Sequence, residues 1–229
     1  MEEIGRLIKE SYFSLAFMLL AQSAAAVIAV KRRNASNALR NFHYYPIAGC
    51  LQSTMTFVAI ILLGDNSFII TRCTISLFVV IEFLAIYLLE FRIIVLPPER
   101  LLLKVLFAGF IIYVIYMWVF TEAFYRYYQT FFIQSLVLLV PVILYFLQTL
   151  RLPSSEDLRN QPAFWVNIGI LFLFSSSIPL FLLEIDSRQF ITHNRYLYSI
   201  NYMAYGIFYL FICKAYLCRT VTRLNYSLS

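Results

Sequence analysis

Phe78-Val79-Val80-Ile81-Glu82-Phe83-Leu84-Ala85-Ile86 sets one carboxyl in the middle of an unbroken apolar run. The run extends over residues 73–92, and about 20 residues at about 1.5 Å each cross a hydrocarbon core about 30 Å thick. Strands of a membrane barrel alternate apolar and polar positions, whereas this run is apolar on every side, so it reads as a helix. An ionised side chain at its middle costs at least roughly 2.5 to 3.5 kcal/mol on insertion scales, which directs Glu82 toward other helices and away from lipid.

Six further runs of the same kind occupy most of the chain. Windows of about 19 residues place the seven spans at 11–30, 43–63, 73–92, 102–120, 130–150, 163–183 and 196–217. Apolar residues make up 62% of the 229 and charged residues 13%, against about 45 to 50% and about 25% in soluble domains. The expected fold is all-α: a polytopic membrane protein of seven transmembrane helices forming a single domain over residues 1–229. The joints are too short for a folded soluble domain, so any cytoplasmic output requires a partner or transport itself. Comparing the second to fourth spans with the fifth to seventh reveals no internal repeat, which weighs against a transporter built from duplicated halves.

Orientation follows from the basic joints. With the amino terminus outside, twelve basic residues lie on inner segments (Lys31, Arg32, Arg33, Arg40, Arg92, Arg100, Lys104, Arg151, Arg159, Lys214, Arg219 and Arg223), against six outside. The positive-inside rule then puts the carboxyl terminus in the cytoplasm. Basic loops facing anionic lipid headgroups account for the net charge of +6 without nucleic acid. Mixed charges before the first span, Arg6 and Lys9 against Glu2, Glu3 and Glu10, mark a retained helix in place of a cleaved signal. Asn34-Ala35-Ser36 and Asn225-Tyr226-Ser227 fit a glycosylation pattern but fall on the inner side, where they read as chance matches.

A polar site is expected around Glu82. Gln22, Gln52, Thr54 and the run Ser175-Ser176-Ser177 sit at membrane depth, and the seventh span adds Asn201 with Tyr198, Tyr202, Tyr205 and Tyr209. The four tyrosines recur at i, i+4, i+7 and i+11, one stripe of a helix. Such a stripe serves either as packing with bonded hydroxyls or as the wall of a ligand site. The ligand-binding candidates are Glu82, Gln22, Gln52, Ser175, Ser176, Asn201, Tyr202 and Tyr205. Pro141 and Pro179 each remove a backbone hydrogen bond inside a span and kink it, whether as a static bend or as a hinge. Aromatics from Trp118 to Phe132, including Phe131, form an expected interfacial belt.

Enzyme chemistry finds no support. His43 and His193 fall on opposite sides of the membrane, and neither an HExxH nor a GxSxG pattern occurs. Cys50, Cys73, Cys213 and Cys218 show no CxxC spacing and read as small apolar residues. Seven helices ending in one that carries Lys214 resemble retinal proteins. That lysine, however, lies about 11 Å inward from the middle of its span by helical rise, where snorkelling to the interface explains it better. Neither a cofactor nor a metal is expected.

The segment Asn160-Gln161-Pro162-Ala163-Phe164-Trp165-Val166-Asn167-Ile168-Gly169-Ile170-Leu171-Phe172 resembles a recurring stretch in small uncharacterised seven-helix proteins of Bacteroidota, often encoded beside sensor histidine kinases. The resemblance covers that stretch together with chain length and helix layout. It implies a cytoplasmic polar loop, a Phe-Trp pair opening the sixth helix, and a membrane histidine kinase as a partner class. The leading expectation is a non-enzymatic membrane sensor or signalling accessory protein with a small-molecule or lipid ligand near Glu82. A small-solute or proton-coupled transporter is the alternative, and a structural subunit of another membrane complex comes third.

Overall fold

The computed structural model describes residues 2–33, 39–63, 67–120, 123–151, 157–186 and 196–218. These residues form seven long helices: α1 (Glu2–Lys31), α2 (Tyr44–Leu63), α3 (Ser67–Ile93), α4 (Pro97–Phe120), α5 (Ala123–Arg151), α6 (Pro162–Asp186) and α7 (Tyr196–Leu217). A single 3₁₀ turn, Leu158–Asn160, precedes α6, and no strand occurs among the described residues. Among the described residues, six of these helices are long and apolar enough to cross a membrane, which marks an integral membrane protein.

Helix starts follow their local chemistry. Pro97 and Pro162 open α4 and α6, where the missing N–H is one that a helix leaves unpaired in any case. Asp157 caps the 3₁₀ turn by accepting from the Arg159 amide at 3.0 Å. Helices α5 and α6 continue through Pro141 and Pro179.

The helices do not form a seven-membered ring. α1 packs on α2 and α7, α2 on α3, α3 on α5, α5 on α6, and α6 on α7, which closes a ring of six. α4 stands outside, against α3 and α5. Stacked rings hold it there: Phe110 lies 3.9 Å from Phe83, and Phe107 lies 4.4 Å from Tyr87, centroid to centroid. At one end of the bundle, Gln148 of α5 ties down the α3–α4 joint. It accepts from the Val95 amide at 2.9 Å and donates to the Ile93 carbonyl at 3.4 Å, serving backbone groups that a helix end leaves open.

Small residues let the ring close tightly. Ala21, Ala25 and Ala29 make a buried stripe on α1, the spacing that brings membrane helices close. A Cβ on Gly206 of α7 would strike the Phe17 ring of α1, and one on Gly169 of α6 would come within 2.7 Å of Phe208 on α7. Lys214 is exposed, with its Nζ 5.5 Å above the Trp165 ring, so it caps an aromatic surface and is not enclosed. One part of the expected aromatic belt is corrected. Phe131 is buried, packs 4.3 Å from the ring of Phe181, and belongs to the core. Trp118 and Phe120 are exposed, while the side chains of Phe124, Tyr125, Tyr127 and Tyr128 lie outside the described residues.

Candidate functional site

Glu82 is completely buried at the centre of the six-helix ring. α3 supplies the carboxyl and three other helices supply donors. The Tyr45 hydroxyl of α2 donates to Oε1 at 2.7 Å, and the Gln134 amide of α5 donates to Oε2 at 2.9 Å. The Tyr205 hydroxyl of α7 lies 3.4 Å from Oε2, long for an O–H···O contact. One side chain thereby links α2, α3, α5 and α7 in a region where water is excluded, and an unpaired polar group there is costly.

The hydrogen bonds continue beyond Tyr45. Its ring stacks on Tyr209, and the two hydroxyls lie against each other. Gln22 of α1 donates through Nε2 to the Tyr209 hydroxyl at 2.9 Å. Tyr45 donates to Glu82, and the Tyr209 oxygen accepts from Gln22. Gly49 of α2 makes this possible, since a Cβ there would collide with both the Tyr209 hydroxyl and the Gln22 Nε2.

A cavity of about 170 Å³ lies next to this network. Its wall takes residues from the middle of α1, α2 and α7 and from the first halves of α3 and α5. Met18, Phe78, Val79 and Phe131 make one apolar side; Gln52, Asn201, Tyr202 and Tyr205 contribute polar groups. Glu82 is not part of the wall but stands behind Tyr205, which belongs to both the wall and the carboxyl cluster.

The structure brings most of the expected residues together and leaves two aside. Glu82 and Tyr205 meet directly; Gln22, Gln52, Asn201 and Tyr202 all line the cavity. Gln52 donates to Thr56 at 3.2 Å. Ser175 is exposed, and Ser176 turns back to the Phe172 carbonyl at 2.8 Å, so neither reaches the cavity. Their neighbour Ser177 is the serine that points inward: it is fully buried and donates to Asn201 Oδ1 at 3.1 Å. Thr54 is exposed and bonds the Cys50 carbonyl. The Tyr198 side chain and all of His193 lie outside the described residues.

Besides Tyr45, two site residues escaped the sequence reading. Gln134 sits in Phe131-Phe132-Ile133-Gln134-Ser135, an amide inside an apolar run of the kind that drew attention to Gln22. Glu90, also fully buried, lies eight residues beyond Glu82 on α3, about 12 Å along the axis. Among the described residues neither of its carboxyl oxygens meets hydrogen-bond geometry, and Asn167 of α6 lies beside it. Spacing of eight returns close to the same helix face, the signal that would have found it.

Fold and site together define a polytopic helical membrane protein with a buried polar centre bordering an intramembrane cavity. No family model matches this chain, and neither the curated proteins nor the solved structures yield a match.

Proposed function

We propose that this chain is a non-enzymatic membrane sensor or signalling accessory protein in which all seven helices span the bilayer. Its amino terminus is outside and its carboxyl terminus is in the cytoplasm, in a bacterial inner membrane. The cavity then lies in the outer half of the bundle and receives a small-molecule or lipid ligand. One observation carries this reading: Tyr205 is shared between the cavity wall and the Glu82 cluster. A ligand that draws the Tyr205 hydroxyl away alters a hydrogen-bonded centre that four helices share, and differential contacts of this kind are what let a ligand shift a conformational equilibrium. Output passes through the basic inner loops to a partner. The resemblance of the Asn160–Phe172 segment makes a membrane histidine kinase the partner class.

The test is co-purification of the tagged protein from its native membranes, followed by autophosphorylation of any associated histidine kinase in nanodiscs. The expected result is an associated kinase whose activity differs between wild type and Glu82→Gln at equal occupancy. Glu90 favours a second reading, proton-coupled transport, because it places a second buried carboxyl on the same face of α3, deeper toward the inner side. Proton flux into proteoliposomes that disappears in Glu82→Gln, with no associated kinase, would move the assignment to transport.

A further inference from the structure

The cavity wall limits what it accepts in three ways. Its volume, about 170 Å³, slightly exceeds the about 150 Å³ of an engineered protein cavity that holds benzene. One six-membered ring with a small substituent therefore fits. Among the described residues the wall carries no carboxylate, ammonium or guanidinium group. Glu82 stands behind Tyr205 and already holds neutral donors, so a charged ligand would be desolvated without a counter-charge. Finally, Phe57 lines the cavity while 52% exposed on α2, so at that point one side chain separates the cavity from lipid. A molecule dissolved in the bilayer has the shortest route in.

Two neighbouring donors of α7 on the wall make no hydrogen bond among the described residues. Asn201 Oδ1 accepts from Ser177 at 3.1 Å, which leaves its amide N–H groups without an acceptor among the described residues. The adjacent Tyr202 hydroxyl likewise makes no hydrogen bond there. Both side chains are half-buried, and they stand side by side on α7. Both line the cavity, and an amide N–H and a phenolic O–H can each donate to a ligand acceptor oxygen there.

We infer that the cavity binds an uncharged, single-ring molecule bearing one acceptor oxygen, drawn from the bilayer and held by the Asn201 amide and the Tyr202 hydroxyl. This rests on the sensor reading and names the class of ligand that such a sensor detects.

The test compares cyclohexanone with methylenecyclohexane, which share ring and shape and differ in C=O against C=CH₂. Competition is followed by saturation-transfer NMR on the full chain in lipid nanodiscs. Wild type should prefer the ketone about tenfold, the effect of satisfying otherwise idle buried donors. Asn201→Leu should abolish that preference while still binding the hydrocarbon, which shows that the cavity survives. Tyr202→Phe should reduce the preference and provides the second variant if Asn201→Leu does not fold. Equal or tighter binding of the hydrocarbon to wild type overturns the inference, as does a ketone preference that persists in Asn201→Leu, or wild type that binds neither probe. These outcomes are independent of the kinase measurement with Glu82→Gln, so the ligand class and the signalling role fail separately.

Discussion

At the residue scale, the strongest constraint is that Glu82 is an acceptor for donors from several helices. Removing it in Glu82→Leu strands the Tyr45 hydroxyl and the Gln134 amide in a dry interior, at roughly 1–3 kcal/mol for each unpaired group. Tyr45→Phe gives up the 2.7 Å bond to the carboxyl, and Tyr205→Phe the longer 3.4 Å contact. Thermal unfolding in one detergent should therefore rank the losses Glu82→Leu, then Tyr45→Phe, then Tyr205→Phe. A Tyr205→Phe protein as unstable as Tyr45→Phe would contradict the assignment of Tyr205 as the weak link facing the cavity. That Glu82 turns inward was legible in the sequence, because lipid cannot hold a carboxyl at that depth. Its partners were not. Tyr45 stands at the very start of α2, in what reads as an inner-interface position, and only the packed ring reveals that its hydroxyl reaches Glu82. Likewise, three consecutive serines share similar chemistry but point in directions about 100° apart on a helix, so choosing Ser177 over Ser175 and Ser176 required the neighbouring helices. His43, just before α2, supplies a pH test. Burial, and then the positive charge of Arg33, hold its imidazole below the ordinary value of 6.5. The unfolded chain then binds the extra proton more readily, so stability is full above pH 6.5 and falls as the pH drops through that value toward the lowered folded value. Melting curves across this window should show a modest decline that is absent in His43→Gln.

At the element scale, helix placement and helix neighbours separate cleanly. Each of the seven apolar runs coincides with a helix, because hydrophobic length is a local property of the chain. Which helices touch is not local. The exclusion of α4 from the ring depends on the Phe83–Phe110 and Tyr87–Phe107 stacks, in which aromatic residues look in sequence like any other lipid-facing ring. Glycines give a controlled test of the packing. Gly109 on α4 has open space where a Cβ would go, so Gly109→Ala should raise stability by about 0.5–1 kcal/mol through helix propensity alone. Gly206→Ala should instead lower it by about 1–3 kcal/mol, since the added methyl meets Phe17 across the α1–α7 seam. Opposite shifts in melting temperature from the same chemical change would verify that α1 and α7 close the ring while α4 stands outside. Shifts of the same sign would refute that arrangement.

At the scale of the whole molecule, the proposed direction of the bundle decides which side the cavity faces and which side signals. The hydrophobic helices alone are indifferent to direction, and only the charges of the joints distinguish the two ends. Twelve basic residues on the segments assigned to the inside, against six outside, give a clear bias. Four of the twelve, Lys31, Arg32, Arg33 and Arg40, cluster between the first two spans, early in the chain where the bias acts most strongly. The four native cysteines are free, so replacing them leaves no disulfide to lose and allows single-cysteine mapping. In such a background, a membrane-impermeant maleimide applied to intact cells should label Ser187→Cys, on an outer joint, and spare Ser154→Cys, on an inner one. Neutralising the early cluster to glutamine leaves eight basic residues inside against six outside, and labelling should then appear at both positions, because part of the population inserts the other way round. If the reagent labels Ser154→Cys and spares Ser187→Cys in the otherwise native chain, the cavity lies on the cytoplasmic side. Its ligand would then be drawn from the inner leaflet, and the basic joints would have to act as an extracellular surface.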